Sequence, residues 1–214
     1  MSTQEKGEML DPSETAFVFI EFQNEFTTPG GKLYEATKEC METYGTIQNA
    51  QKVMSVARNA GATIIHAPIE FEKGHKEISG EYGILANVKG GEAFLARTWN
   101  SAFCDAMKPQ ESDLIVKGKT GLCSFHSTNL DFLLRQNKIK NVILSGFLTN
   151  CCVESTMRMA YENGYKVYTL KDCCAATSVA GHEAAFEFNF GMFSIPTTSD
   201  AVISMIKPRT IAVA

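Results

Sequence analysis

Short apolar runs of β type alternate with helical patterns along this chain, and that alternation restricts its fold more than any other feature. The runs cover residues 16–21, 62–66, 113–117, 141–146, 165–170 and, weakly, 192–195. Several are apolar on both faces, as strands of a covered parallel sheet must be. Between them lie helical patterns over 43–59, 129–136, 151–163 and 180–190, with Gly61 and Gly164 placed as helix stops. The pattern predicts an α/β protein with a single-domain, three-layer α/β/α (Rossmann-like) fold around a mostly parallel sheet of about six strands.

A chain of 214 residues with 44% hydrophobic content can bury one substantial core. The domain is expected over 15–206, between a flexible N-terminal segment, 1–14, and a C-terminal tail, 207–214. A net charge of −4 without a basic cluster gives nucleic-acid binding no electrostatic support. No run approaches the roughly 20 apolar residues of a membrane span, and the polar start lacks a signal peptide's apolar stretch. Seven cysteines, an odd number, argue for thiols in a reducing compartment rather than a disulfide framework. The expectation is a soluble cytoplasmic protein that acts on a small molecule, with no nucleic-acid or membrane partner. The stretch 68–110 departs from the alternation: it is glycine-rich, carries the only tryptophan, Trp99, and reads as a long crossover with one short helix near 101–107. Segments of this length are often lids.

The chemistry concentrates in the run Leu144 Ser145 Gly146 Phe147 Leu148 Thr149 Asn150 Cys151 Cys152 Val153. An apolar strand ends at Gly146, a tight turn follows, and a helix opens with cysteine in its first turn. Backbone N–H groups there favour thiolate over thiol and are able to hold the oxyanion formed when a thiolate attacks a carbonyl. The competing reading is that these cysteines pack as small hydrophobes. In open α/β sheets ligands bind outside the carboxyl ends of the strands. Glu21 closes the first strand there and Lys117 the third, which supplies a base and a cation beside the thiol.

With these residues assembled, the chain resembles the isochorismatase-like cysteine hydrolases. Phe19 Ile20 Glu21 Phe22 Gln23 Asn24 Glu25 Phe26 is similar to their first-strand signature, Ile115 Val116 Lys117 to their lysine strand, and Gly146 to Val153 to their nucleophile loop. Phe125, Thr128, Asn129, Leu130, Gly164, Asp172 and His182 also match, so the resemblance spans about 16–196. It implies a triad of Glu21, Lys117 and Cys152, with Cys152 rather than Cys151 as nucleophile. It also implies an oxyanion hole from the backbone N–H groups of Leu148 and Cys152, a cis peptide before Leu148, and a homo-oligomer, dimer or tetramer. The family usually has aspartate at the position of Glu21, one methylene shorter. Glu25 reads as a surface or supporting acid.

The metal-binding relatives carry an aspartate with histidines after the second strand. Here that region has His66 and His75 without the aspartate, and the paired cysteines lack zinc spacing. No metal or other cofactor is expected, with His66 an ordinary strand-end residue and His75 on the surface. Phe26, Trp99 and Thr149 are expected at the substrate, and Phe103 is a further aromatic candidate. The resulting expectation is hydrolysis of an amide or ureide C–N bond through a Cys152 thioester. A vinyl-ether hydrolase, which needs an acid but no thiol, and a catalytically idle interaction protein are the alternatives.

Overall fold

A computed structural model describes residues 9–207. Six parallel strands form one sheet in the order β3-β2-β1-β4-β5-β6. They are β1 (Thr15–Ile20), β2 (Thr63–Ala67), β3 (Leu114–Ile115), β4 (Asn141–Phe147), β5 (Lys166–Ala175) and β6 (Ile195–Thr197). The expected three-layer α/β/α architecture is present, and every pairing is parallel.

Alternation along β1 explains the two covered faces. Phe17 and Phe19 belong to one buried cluster with Cys40, Val53, Met54 and Ala57, whereas Ala16, Val18 and Ile20 belong to a second with Leu134, Met157 and Phe190. Adjacent residues of a strand point to opposite faces, so an all-apolar strand requires helices on both. The first layer holds α2 (Tyr34–Tyr44), α3 (Thr46–Ala60) and α9 (Ser199–Met205), and the second holds α5 (Leu130–Gln136) and α6 (Glu154–Glu162). The remaining short helices are α1 (Asn24–Thr27), α4 (Gly83–Gly90), α7 (Val179–Ala185) and α8 (Gly191–Phe193).

The helix expected over 43–59 is α3, which begins at Thr46, and the residues before it form a further helix, α2, that was not expected. Gly45 takes a left-handed conformation, φ 62°, which ends α2 and starts α3, and glycine adopts that conformation without steric cost. On α3, Ala50, Val53, Met54 and Ala57 are buried, the i, i+3, i+4, i+7 stripe of a helix lying on a sheet. Residues 9–14, expected to lie outside the domain, pack on it. Leu10 is buried, donates its N–H to Met205 O at 2.8 Å and bridges Ile206. Residues 1–8 and 208–214, and the expectations made for them, lie outside the described part. Among the described residues no helix is long and apolar enough to cross a membrane.

Candidate active site

The strand order reverses direction between β1 and β4, which therefore flank the topological switch point where open α/β sheets form ligand crevices. Glu21 follows β1 directly and has φ 58°, a left-handed conformation that turns the chain out of the strand. Its N–H stays on the sheet, bonded to Ala67 O at 3.1 Å. On β4, Gly146 is paired with Ile20, and a Cβ at Gly146 would stand 2.0 Å from Ile20 O. Only glycine permits this approach of β4 to β1. The Phe147–Leu148 peptide is cis, as the resemblance implied. An irregular helical turn, Thr149–Val153, then leads into α6, and Leu148 O accepts from Cys151 N at 3.1 Å and Val153 N at 3.2 Å.

Glu21 and Cys152 are thus brought together, both fully buried residues on the wall of one cavity of about 270 Å³. The lysine is a correction. The ammonium beside the Glu21 carboxylate is that of Lys119, whose side chain is wholly buried and which also donates to Gly121 O at 2.8 Å. Lys117 is exposed and borders a different, polar cleft with Glu72 and Arg97. The reason lies in sheet order. β3 is an edge strand separated from β1 by β2, roughly 10 Å away at ordinary strand spacing. The chain leaves the sheet after Val116, turns at Gly118 with φ 81°, and crosses the end of β2, where Glu70 N approaches Lys119 O at 3.4 Å. Lys119 is the residue that this crossing delivers. The Lys117-Gly118-Lys119 spacing was the available signal, since both lysines share the parity of an extended chain.

The electrostatics oppose the preference of the helix N-terminus for thiolate. The Cys152 thiol is pushed well above its ordinary value by its hydrogen bond with the Cys151 thiol, by burial and by the Glu21 charge, against the pull of Lys119. Burial raises the Glu21 carboxyl, opposed by the Lys119 charge and by hydrogen bonds from Lys119 and the Cys152 thiol. Burial works against the Lys119 ammonium, but the Glu21 and Cys152 charges outweigh it and hold the group above its ordinary value. The resting arrangement is a thiol next to a carboxylate whose proton affinity is enhanced, the pairing general-base activation requires.

Phe26 lines the cavity, stacked on Phe147 with centroids 5.3 Å apart and tilted against Phe94 at 5.1 Å. Trp99 is not on that wall. It is 50% exposed, and its carbonyl accepts from Asn24 Nδ2 at 2.9 Å. Phe103 lines the polar cleft near Lys117 and packs edge-on to His66. Thr149 is buried in the turn after β4, its hydroxyl 2.8 Å from His182 Nδ1. The long crossover does supply a cover, though not by the helix expected near 101–107, which is a single turn at Asp105–Met107. The wall comes from α4, through Ile84, Leu85, Asn87 and Val88.

Glu25 is a supporting acid, and a buried one rather than a surface one. Its carboxylate accepts from Lys32 N and Phe94 N, both at 2.9 Å, and from Asn100 Nδ2, joining three segments around the cavity. Gln23 does the same for Ile69 and Ser101. His66 is the penultimate residue of β2, buried against Asp113 at 3.2 Å. His75, expected at the surface, is buried, with Nε2 2.7 Å from Ala93 O and its ring stacked on Phe71. Among the described residues no three His, Cys, Asp or Glu side chains are grouped to hold a metal ion.

The chain is similar to known proteins over nearly its whole length. A family model described as "Isochorismatase domain" matches residues 15–201. A ureidoacrylate amidohydrolase (RutB) from Agrobacterium fabrum is 31% identical over 94% of this chain and 95% of its own length. The corresponding protein of Rhizobium rhizogenes is 33% identical over 76% of this chain and 71% of its length. A cysteine hydrolase from Pseudomonas syringae pv. phaseolicola superposes with a TM-score of 0.78 at 25% identity, covering 94% of this chain and 98% of that one.

Proposed function

Since the chain belongs to the isochorismatase family of hydrolases, we propose that it hydrolyses an amide or ureide C–N bond through a thioester at Cys152. The observation that carries this reading is the convergence of Cys152 and Glu21, the latter paired with Lys119, at one wall of a largely apolar cavity. The naming of its RutB relatives as amidohydrolases supports the bond type.

In this mechanism the Glu21 carboxylate takes the thiol proton as Cys152 Sγ bonds to the substrate carbonyl carbon. The N–H groups of Leu148 and Cys152 hold the resulting oxyanion. Glu21 then passes the proton to the leaving nitrogen as the C–N bond breaks, and an amine or ammonia departs. Water, deprotonated by Glu21, attacks the thioester, releasing the acid and returning the proton to sulfur. Lys119 remains an ammonium throughout and balances the charge that alternates between Glu21 and Cys152. The extra methylene of Glu21 is accommodated by the left-handed backbone at that residue, which turns the side chain off the strand axis. A cytoplasmic homo-oligomer belongs to the same reading, and sedimentation of the purified protein tests the assembly.

The experiment is acid-quenched mass spectrometry during turnover of a slowly hydrolysed amide. An acyl adduct on the peptide carrying Cys152, absent from Cys152→Ala, is expected. Turnover without any adduct, retained in Cys152→Ala, would overturn the proposal in favour of an acid-only reaction.

A further inference from the structure

The turn that carries Cys152 is irregular, and a hydrogen bond to another helix holds it. Within Thr149–Val153 the backbone at Asn150, φ −86° and ψ 24°, departs from helical geometry. Thr149 is tied sideways, its buried hydroxyl 2.8 Å from Nδ1 of His182 on α7. That helix is itself anchored. Ser178 Oγ accepts from Gly181 N at 3.1 Å, and Glu183 accepts from the Tyr44 hydroxyl of α2 and, at 2.6 Å, from Lys171 Nζ of β5.

Packing alone does not call for an imidazole at this place. The His182 ring is fully buried between Tyr44 and Phe186, with centroids 4.3 and 4.9 Å away, aromatic surroundings that suit an apolar ring equally well. Burial keeps the imidazole neutral, so one ring nitrogen is bare and the other carries a proton. Among the described residues Nε2 has no hydrogen-bond partner, so the polarity of the ring is used at Nδ1 alone, on Thr149.

We propose that His182 is a positioning residue: through Thr149 it holds the turn in the orientation that aims the Leu148 and Cys152 N–H groups at the carbonyl oxygen of the substrate. A hydrogen bond fixes direction as well as distance, whereas apolar packing is non-directional. The part played in oxyanion binding rests on the thioester reading above; the tether between α7 and the turn does not.

The test is the pair of apolar replacements Thr149→Val and His182→Phe, singly and together. Each alone strands a buried polar group, while the double variant removes both partners and should unfold at a denaturant midpoint close to the native one. With the amide of the acylation experiment, kcat is nonetheless expected to fall roughly 10- to 10²-fold in the double variant with KM within about twofold, as misplaced oxyanion donors demand. Each single variant should lose as much rather than a share of it. Thr149→Ser, which keeps the hydroxyl, and His182→Asn, whose amide reaches the place of Nδ1, should retain most of the rate. Hydrogen exchange needs no turnover: a peptide covering 148–153 should exchange roughly 3- to 10-fold faster in the double variant, with β4 unchanged. Should the double variant not fold, Thr149→Val against Thr149→Ser carries the same comparison. Native kcat in the double variant whatever its stability, single losses that multiply, or unchanged exchange over 148–153 overturns the proposal. Faster exchange there, together with turnover that forms no acyl adduct, upholds the tether and instead refutes the thioester reading.

Discussion

The Lys119 ammonium and the Glu21 carboxylate form an ion pair in which both side chains are shielded from solvent, 0% and 2% exposed. Breaking such a pair from one side leaves an uncompensated buried charge, at a cost of roughly 3–5 kcal/mol. Lys119→Met therefore should destabilise the protein and, where it folds, push the Glu21 carboxyl still higher, because Lys119 is the charge that holds it down. The acid limb of the kcat/KM profile should move to higher pH. Lys117→Met should leave both stability and profile unchanged, because that side chain is exposed. A pH–rate series on the two variants decides between the lysines, and the reverse pattern would restore Lys117 to the site.

Cys152 and Cys151 differ in what they face. Cys152 is buried at the cavity wall, whereas Cys151 is only half-buried and does not line it. Turnover should be abolished in Cys152→Ala and largely retained in Cys151→Ala. Because the resting thiol is held well above its ordinary value, iodoacetamide should alkylate Cys152 slowly at neutral pH. Rapid labelling there would show a preformed thiolate.

Glu21→Gln keeps the shape and removes the proton acceptor, so hydrolysis should fall by roughly 10²- to 10⁴-fold. Glu21→Asp withdraws the carboxylate by one methylene from Lys119 and the thiol and should also lose much activity. Glu25→Gln should behave differently. It turns an amide N–H₂ toward groups that all donate, which costs roughly 1–3 kcal/mol of stability or more without moving the pH optimum. Thermal unfolding alongside pH–rate profiles separates the two roles.

Burial lowers the His182 imidazole to about 4. Unfolded, it would protonate near the ordinary value of 6.5. Between these values the unfolded state binds more protons, so the stability tied to this group is complete above about 6.5 and is lost as pH falls toward about 4. Burial lowers His66 in the same direction, so the wild-type protein should lose stability on acidification through this window. His182→Gln should remove part of that slope while leaving the His66 share. Denaturant unfolding at stepped pH measures it, and identical slopes would assign the whole effect elsewhere.

The sequence alone determined the architecture and the meeting of Glu21 and Cys152 at one edge of the sheet. Strand and helix periodicities are local, so they survive in a one-dimensional reading. Glu21 directly follows β1 and Cys152 lies in the turn after β4, and the two strands pair with each other, so their approach is dictated by where those strands end. Tertiary structure decided the rest. Which lysine reaches Glu21 depended on how far the chain must travel from an edge strand across β2. That Glu25 and His75 are buried, and that Trp99 is off the cavity wall, depended on how the 68–110 crossover folds back over β1. Gly45 sets where α3 starts because a left-handed residue is a property of backbone packing, which hydrophobic spacing does not report. The protonation of Cys152 was likewise invisible in sequence. A helix N-terminus favours thiolate, but burial beside a carboxylate and a second thiol outweighs it, and burial exists only after the chain has folded.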